Sequence, residues 1–320
     1  MREAVRDPRE LCRLLDLPPE TAEQAVEAAG GFPLFVPRGF LAKITPQDPR
    51  DPLLLQVLPR MAETEPQAGF TVDPVDESDA QPTPGLLKKY SGRALLVTTA
   101  ACGVHCRYCF RRHFPYDDGP AMRPRWRHAI DWVAADETID EVILSGGDPL
   151  TLTDELLAEL AESILTVDHI KRLRIHTRIP VVIPERVTDD LIGWLTGTRL
   201  TPIVVVHANH PREICDDVAA GLRRLIDSGI PVLNQSVLLA GVNDDIEVLT
   251  NLCRRLIDLG VMPYYLHQLD RVAGAAHFEV STDRGRKLID ELRRHLPGYA
   301  VPRYVQEVPG ESSKVVIDTH

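Results

Sequence analysis

Three of the six cysteines, Cys102, Cys106 and Cys109, fall within one short stretch of the 320-residue chain. Cysteine thiolates hold iron–sulfur clusters, and a four-iron cluster normally takes four of them. Three on one loop would therefore leave one iron open to another ligand. Two alternatives stand beside this reading: a zinc site completed by His105 or His113, and free buried thiols. Tyr108, an aromatic residue directly before the third cysteine, favours the cluster. The remaining cysteines, Cys12, Cys215 and Cys253, read as ordinary core or helix residues.

Two further segments carry reactive potential. Gly146-Gly147-Asp148-Pro149 allows a ligand to approach the backbone closely, although the same tetrapeptide is a common turn. Lys314 ends the run Pro309-Gly310-Glu311-Ser312-Ser313-Lys314. A lysine amine becomes a nucleophile when desolvated; otherwise it is a solvated surface charge.

The elements that must position these groups follow from the apolar pattern. Strands are expected at Ala94–Thr99, Glu141–Ser145, Arg172–His176, Ile203–His207, Val232–Val237 and Met262–Leu266. Helices are expected near 124–135, 153–166, 188–198, 211–228, 244–259 and 281–296, with Thr153 as an N-cap and Gly229 as a stop. Such alternation implies a parallel α/β sheet with right-handed crossovers, curled into a full or partial barrel. Polar residues follow every strand, and in such a fold these ends share the ligand-binding face. Before Leu87, prolines interrupt any long helix or sheet, which predicts a mostly helical extension wrapping the core, with an acidic loop at Asp73–Asp79.

Composition narrows the function. A net charge of −11 argues against nucleic acid as the main partner. No apolar run approaches a membrane span. The charged start, Met1 to Arg9 with Pro8, does not read as a secretory signal. Clustered cysteines in such a chain suit a reducing, cytoplasmic setting.

Cys-x-x-x-Cys-x-aromatic-Cys after a first strand resembles the radical S-adenosylmethionine superfamily, and Pro-Gly-x-x-x-Lys resembles the pyridoxal loop of the lysine 2,3-aminomutases. Further segments follow the aminomutase pattern in order: Lys89-Tyr90-Ser91-Gly92-Arg93, Thr177-Arg178-Ile179-Pro180, Asn234-Gln235-Ser236 and Gly241-Val242-Asn243-Asp244. The resemblance implies a partial (β/α)6 barrel with an N-terminal extension over 1–87, the barrel over 88–311 and a short tail over 312–320. It implies a [4Fe-4S] cluster on Cys102, Cys106 and Cys109, whose open iron takes S-adenosylmethionine. Gly146, Gly147, Asp148, His207 and Gln235 would border the cofactors. Lys314 would carry pyridoxal 5'-phosphate, with Tyr90 and Arg93 on its phosphate and His267 close to its ring. Arg111 would pair with the substrate carboxylate, and Asp270 and Glu307 with the distal ammonium of L-lysine.

Three departures point to a subfamily. The chain ends shortly after Lys314, so the aminomutases' C-terminal zinc part is expected to be missing. Asp245 stands where they place a zinc cysteine, and His267 where they place a tyrosine. With Glu307, this form is similar to the elongation factor P β-lysylation enzymes, the EpmB family. That resemblance implies conversion of (S)-α-lysine to (R)-β-lysine, a reductant such as flavodoxin or ferredoxin, a link to elongation factor P and its ligase, and no zinc. The competing expectations are a mutase for another cationic amino acid and a non-catalytic iron–sulfur or zinc scaffold.

Overall fold

The computed structural model describes residues 1–116 and 122–317. Nine strands form one sheet in sequential order. They are β1 (Leu86–Leu87), β2 (Arg93–Thr99), β3 (Glu141–Gly146), β4 (Arg172–Thr177), β5 (Thr201–His207), β6 (Val232–Val237), β7 (Met262–His267), β8 (Arg303–Gln306) and β9 (Val315–Val316). Strands β2 to β8 pair in parallel, while β1 and β9 add antiparallel edges. The result is a mixed α/β sheet consistent with a partial barrel. The six expected strands appear within two residues of their expected limits. The parallel β8 was not foreseen, because its four residues, Arg-Tyr-Val-Gln, carry too little pattern to read.

The helices are α1 (Pro8–Leu14), α2 (Pro19–Ala28), α3 (Arg38–Leu41), α4 (Pro52–Leu55), α5 (Met122–Ala134), α6 (Asp154–Leu165), α7 (Ile179–Val182), α8 (Asp189–Thr196), α9 (Asp216–Asp227), α10 (Ile246–Leu259) and α11 (Thr282–His295). Local chemistry sets their ends. Asp245 caps α10 by accepting from Glu247 N and Val248 N, and Gly260 stops it at φ +88°. Thr153 occupies the N-cap position of α6 without a side-chain cap bond. The helix expected from 211 begins later: Pro211–Glu213 forms a 3-10 turn and α9 starts at Asp216.

Strand period decides which side chains can reach a ligand. On β4, Leu173, Ile175 and Thr177 are buried, whereas Arg172, Arg174 and His176 are partly open. Leu173 and Ile175 join one core with Leu96, Leu144 and Val204 and with Leu157, Leu160, Leu191 and Leu222 of the covering helices. The N-terminal residues build a second core, from Val5 to Leu58, that includes Val104 of the cysteine loop and Val182 of α7. Among the described residues, no helix is long and apolar enough to cross a membrane.

Candidate active site

A cavity of about 510 Å³ runs from the loops after the strands down to Arg93 and Glu141 within the sheet. That volume lies in the range of small-molecule and cofactor sites. Every site residue that the family resemblance implies lines it. Cys102, Cys106, Cys109 and Arg111 come from the loop after β2, and Gly146, Gly147 and Asp148 from the end of β3. His207, Gln235, His267 and Asp270 come from β5, β6 and β7 or just beyond, and Tyr90, Arg93, Glu307 and Lys314 complete the set.

The cysteine loop is held from two sides. From the N-terminal region, Phe35 O accepts from His105 N at 3.0 Å and Gln56 O from Arg107 N at 2.9 Å. The Arg107 guanidinium is buried on Glu63, with Nε to Oε1 at 2.9 Å, and Arg112 Nη2 reaches the same carboxylate at 2.8 Å. On the other side, Gly147 N donates to Thr99 O and Asp148 N to Ala101 O, at 2.8 and 2.7 Å. A Cβ on Gly147 would stand 2.3 Å from Ala101 O, so only glycine permits this approach. The glycine pair therefore joins the β3 end to the cysteine loop as well as lining the cavity.

Burial pushes the Cys102 thiol well up and the Cys109 thiol up to about 12. Thiolates there need a positive partner, which iron supplies. Among the described residues, no three His, Cys, Asp or Glu side chains are arranged to hold one metal ion. Ligands of a four-iron cluster bind different irons and need not converge on one point, so the loop fits such a cluster. The Arg178 guanidinium donates from Nη1 to Cys106 Sγ at 2.7 Å, and from Nη2 to Gln56 Oε1 and Glu213 Oε2 at 2.7 and 2.8 Å. Burial works against the Glu213 carboxylate, but Arg178, Asn209 N and Gln56 together outweigh it and hold the group below the usual range. Tyr108 Oη accepts from Asn209 at 2.7 Å and lies 3.0 Å from His207 Nε2, with the two rings stacked at 5.6 Å.

Asp148 shows a division of labour. Its carboxylate accepts from Leu150 N, Thr177 Oγ1, Arg178 N and Ile179 N, tying the end of β3 to the end of β4. Burial pushes it up to about 6 despite those bonds. Its backbone is engaged too, the N–H on Ala101 O and the C=O with Thr151, so Asp148 serves the site by holding the loop ends together.

At the far side of the cavity Lys314 is ion-paired with Glu307, and Lys89 Nζ lies 3.3 Å from the same carboxylate. Burial raises Glu307, but Lys314, Tyr90 and Lys89 overcome it and leave the group at about 2. Burial pushes Asp270 up to about 7, with Glu307 adding to the shift. Burial and then Lys314 hold the His267 imidazole neutral, at about 3. The Arg93 guanidinium sits 4.7 Å over the Tyr90 ring, and no carboxylate among the described residues pairs with it. A cation stacked on a phenol, in a cavity that also holds the Lys314 amine, fits a phosphorylated aldehyde cofactor.

Sequence reading missed several groups here. Arg111 donates from Nε and Nη2 to both Glu77 oxygens at 2.7 Å, and from Nη1 to Ser145 Oγ at 3.0 Å and Gly146 O at 3.4 Å. Glu77 lies in the acidic loop, whose Asp73 carboxylate accepts from Glu77 N at 3.0 Å. The Arg178–Glu213–Gln56 network went unseen, as did Arg174, while His176 was read only among the polar residues at strand ends and given no role. The last two carry a signal, since polar residues alternate with apolar ones along β4.

Sheet order, cysteine loop and strand-end cavity define a radical S-adenosylmethionine protein, and the Radical SAM superfamily model matches residues 96–253. An L-lysine 2,3-aminomutase of Haemophilus influenzae is 44% identical over 316 residues, 99% of this chain and 94% of the relative. Another from Escherichia coli K12 is 44% identical over 99% of this chain and 93% of its own length. The L-lysine 2,3-aminomutase of Clostridium subterminale is 35% identical over 99% of this chain and 76% of its own length. The chain belongs to the lysine 2,3-aminomutase family. Streptococcus suis SuiB, solved with its precursor peptide SuiA, shares the fold at a TM-score of 0.51 and 14% identity, over 70% of this chain and about half (50%) of SuiB.

Proposed function

We propose that the chain is a lysine 2,3-aminomutase that converts (S)-α-lysine to (R)-β-lysine with a [4Fe-4S] cluster, S-adenosylmethionine and pyridoxal 5'-phosphate. The observation that carries this reading is that the cysteine loop and Lys314 line one cavity. Bound there, these groups supply one-electron cleavage of a sulfonium and a carrier for a migrating amine.

The chain's own residues hold and orient. Cys102, Cys106 and Cys109 would hold the cluster, and the Gly146-Gly147 edge would border S-adenosylmethionine bound beside it. His207 and Gln235 border S-adenosylmethionine, and Asp148 keeps the loops around it closed. Lys314 anchors pyridoxal phosphate, while Tyr90 and Arg93 hold its phosphate. A neutral His267 can lie against the cofactor ring without adding charge. Arg111 meets the substrate carboxylate, and Asp270 with Glu307 the distal ammonium. Two acids around a buried cation suit a cationic amino acid, because an unpaired buried ammonium is costly.

The finer reading places the chain with the elongation factor P β-lysylation enzymes, supported by the resemblance at Tyr264-Tyr265-Leu266-His267 and Glu307. On it, a flavodoxin- or ferredoxin-type reductant supplies electrons, and the product serves a ligase acting on elongation factor P. The same reading assigns residues 1–87 to a wrap, 88–311 to the barrel and 312–320 to a tail, whose last three residues lie outside the described ones.

Anaerobic reconstitution tests the reading. The expected results are a brown iron–sulfur chromophore, reductive cleavage of S-adenosylmethionine, and a pyridoxal absorbance lost in Lys314→Ala. Colourless protein, or pyridoxal binding unaffected by Lys314→Ala, contradicts it.

A further inference from the structure

Strand β4 carries Arg174 and His176 two residues apart, so both fall on the same face, and both line the cavity. Arg174 pairs with Glu141 through Nη2, but its Nε has no hydrogen-bond partner. The Nε2 of His176 is likewise buried and unpartnered. Buried polar atoms are almost always hydrogen-bonded, and one left open in a ligand cavity finds its partner in the ligand. Burial, and then the charges of Arg174, Lys314 and Arg111, keep this imidazole neutral, with His267 also facing it. A neutral imidazole has one N–H to give. With the Arg174 guanidinium on the same strand face and one N–H to give, His176 suits an oxyanion.

Three oxyanions belong to the proposed chemistry: the carboxylate of S-adenosylmethionine, assigned to the cluster, the α-carboxylate of the amino acid and the phosphate of the pyridoxal cofactor. In the sheet, Leu144 pairs with Ile175, which sets His176 level with Ser145, the residue that accepts from Arg111 Nη1, whereas Arg93 pairs with Glu141 at the opposite end of the strands; this favours the carboxylate. Arg111 is also poorly placed to clamp a carboxylate alone. Its bidentate edge already meets Glu77, and Nη1 meets Ser145 and Gly146. We propose that His176 donates from Nε2 to the substrate α-carboxylate and completes, with Arg111, a two-residue carboxylate site. The proposal deepens the aminomutase reading and rests on it. His176 is then a specificity residue that separates amino acids from simple diamines.

The test uses full-length protein loaded with pyridoxal phosphate, without S-adenosylmethionine or reductant, so no turnover occurs. The cofactor's visible absorbance reports titration with L-lysine and with 1,5-diaminopentane, which lacks the carboxylate. His176→Leu and His176→Ala are each expected to weaken lysine binding by at least about tenfold, the worth of one hydrogen bond to a charged group. Affinity for the diamine and for pyridoxal phosphate should stay within about twofold, and His176→Gln, which keeps a donor, should restore lysine binding to within about threefold. Unchanged lysine affinity, or equal losses for lysine and diamine, overturns the proposal. A fall in pyridoxal phosphate affinity instead assigns His176 to the cofactor phosphate and overturns it too. Wild-type protein that takes up no pyridoxal phosphate overturns the aminomutase reading and this inference with it.

Discussion

Arg178 and Glu213 are both buried, and each satisfies the other while Arg178 also reaches Cys106. Removing one member of such a pair leaves an uncompensated charge, so Arg178→Met should cost about 3–5 kcal/mol in urea unfolding, with Glu213→Gln restoring part of the loss. Asp270 is tested through pH. Its folded pKa of about 7 lies above the ordinary carboxyl range. Between that range and pH 7 the folded chain holds a proton that the unfolded chain releases, so stability is greatest at the acidic end and falls as pH rises to 7. Asp270→Asn should remove this slope in thermal unfolding scans. The distal ammonium favours ionised Asp270, so lysine should bind up to about threefold more tightly at pH 7.5 than at pH 6.5. A flat profile for the wild-type protein contradicts the role. The cysteine triplet, the glycine pair and the Pro-Gly-x-x-x-Lys loop were legible because each is a local pattern. Glu77 and Gln56 were not, because the partners of buried ion pairs and hydrogen bonds are chosen by three-dimensional proximity. Arg178 and Gln56 meet across 122 positions of sequence.

Element by element, the strands and long helices of the repeat were legible from apolar period and caps. The short pieces were not: α3 and α4 have four residues each, too few for a helical period to show. The join between the end of β3 and the cysteine loop is the element-level feature the site depends on most. Gly147→Ala would drive a methyl group into Ala101 O, at 2.3 Å before relaxation. Overpacking of this kind costs about 1–3 kcal/mol, and here the strain falls on the loop that carries the cysteines. Lower thermal stability together with less iron bound per chain after reconstitution is the expected outcome. Normal iron content would show that the glycine serves the turn alone.

Across the whole molecule, the N-terminal residues and the sheet act together on one loop. Val104 packs in the N-terminal core while Cys102, Cys106 and Cys109 face the cavity. Glu63 is the polar part of that grip, compensating buried Arg107 and Arg112. Glu63→Gln should destabilise the fold by about 3–5 kcal/mol and speed loss of iron on exposure to a chelator. Sequence announced an extension rich in proline, but not which side of the core it would brace.

The central claim is that the cysteine loop and Lys314 work on one substrate across one cavity. Its most direct test is anaerobic incubation of reconstituted protein with L-lysine, S-adenosylmethionine and reductant, followed by chiral separation of the amino acids. The account predicts (R)-β-lysine, absent from Lys314→Ala and from Cys106→Ala. Fully loaded protein that cleaves S-adenosylmethionine yet leaves lysine unchanged would contradict it.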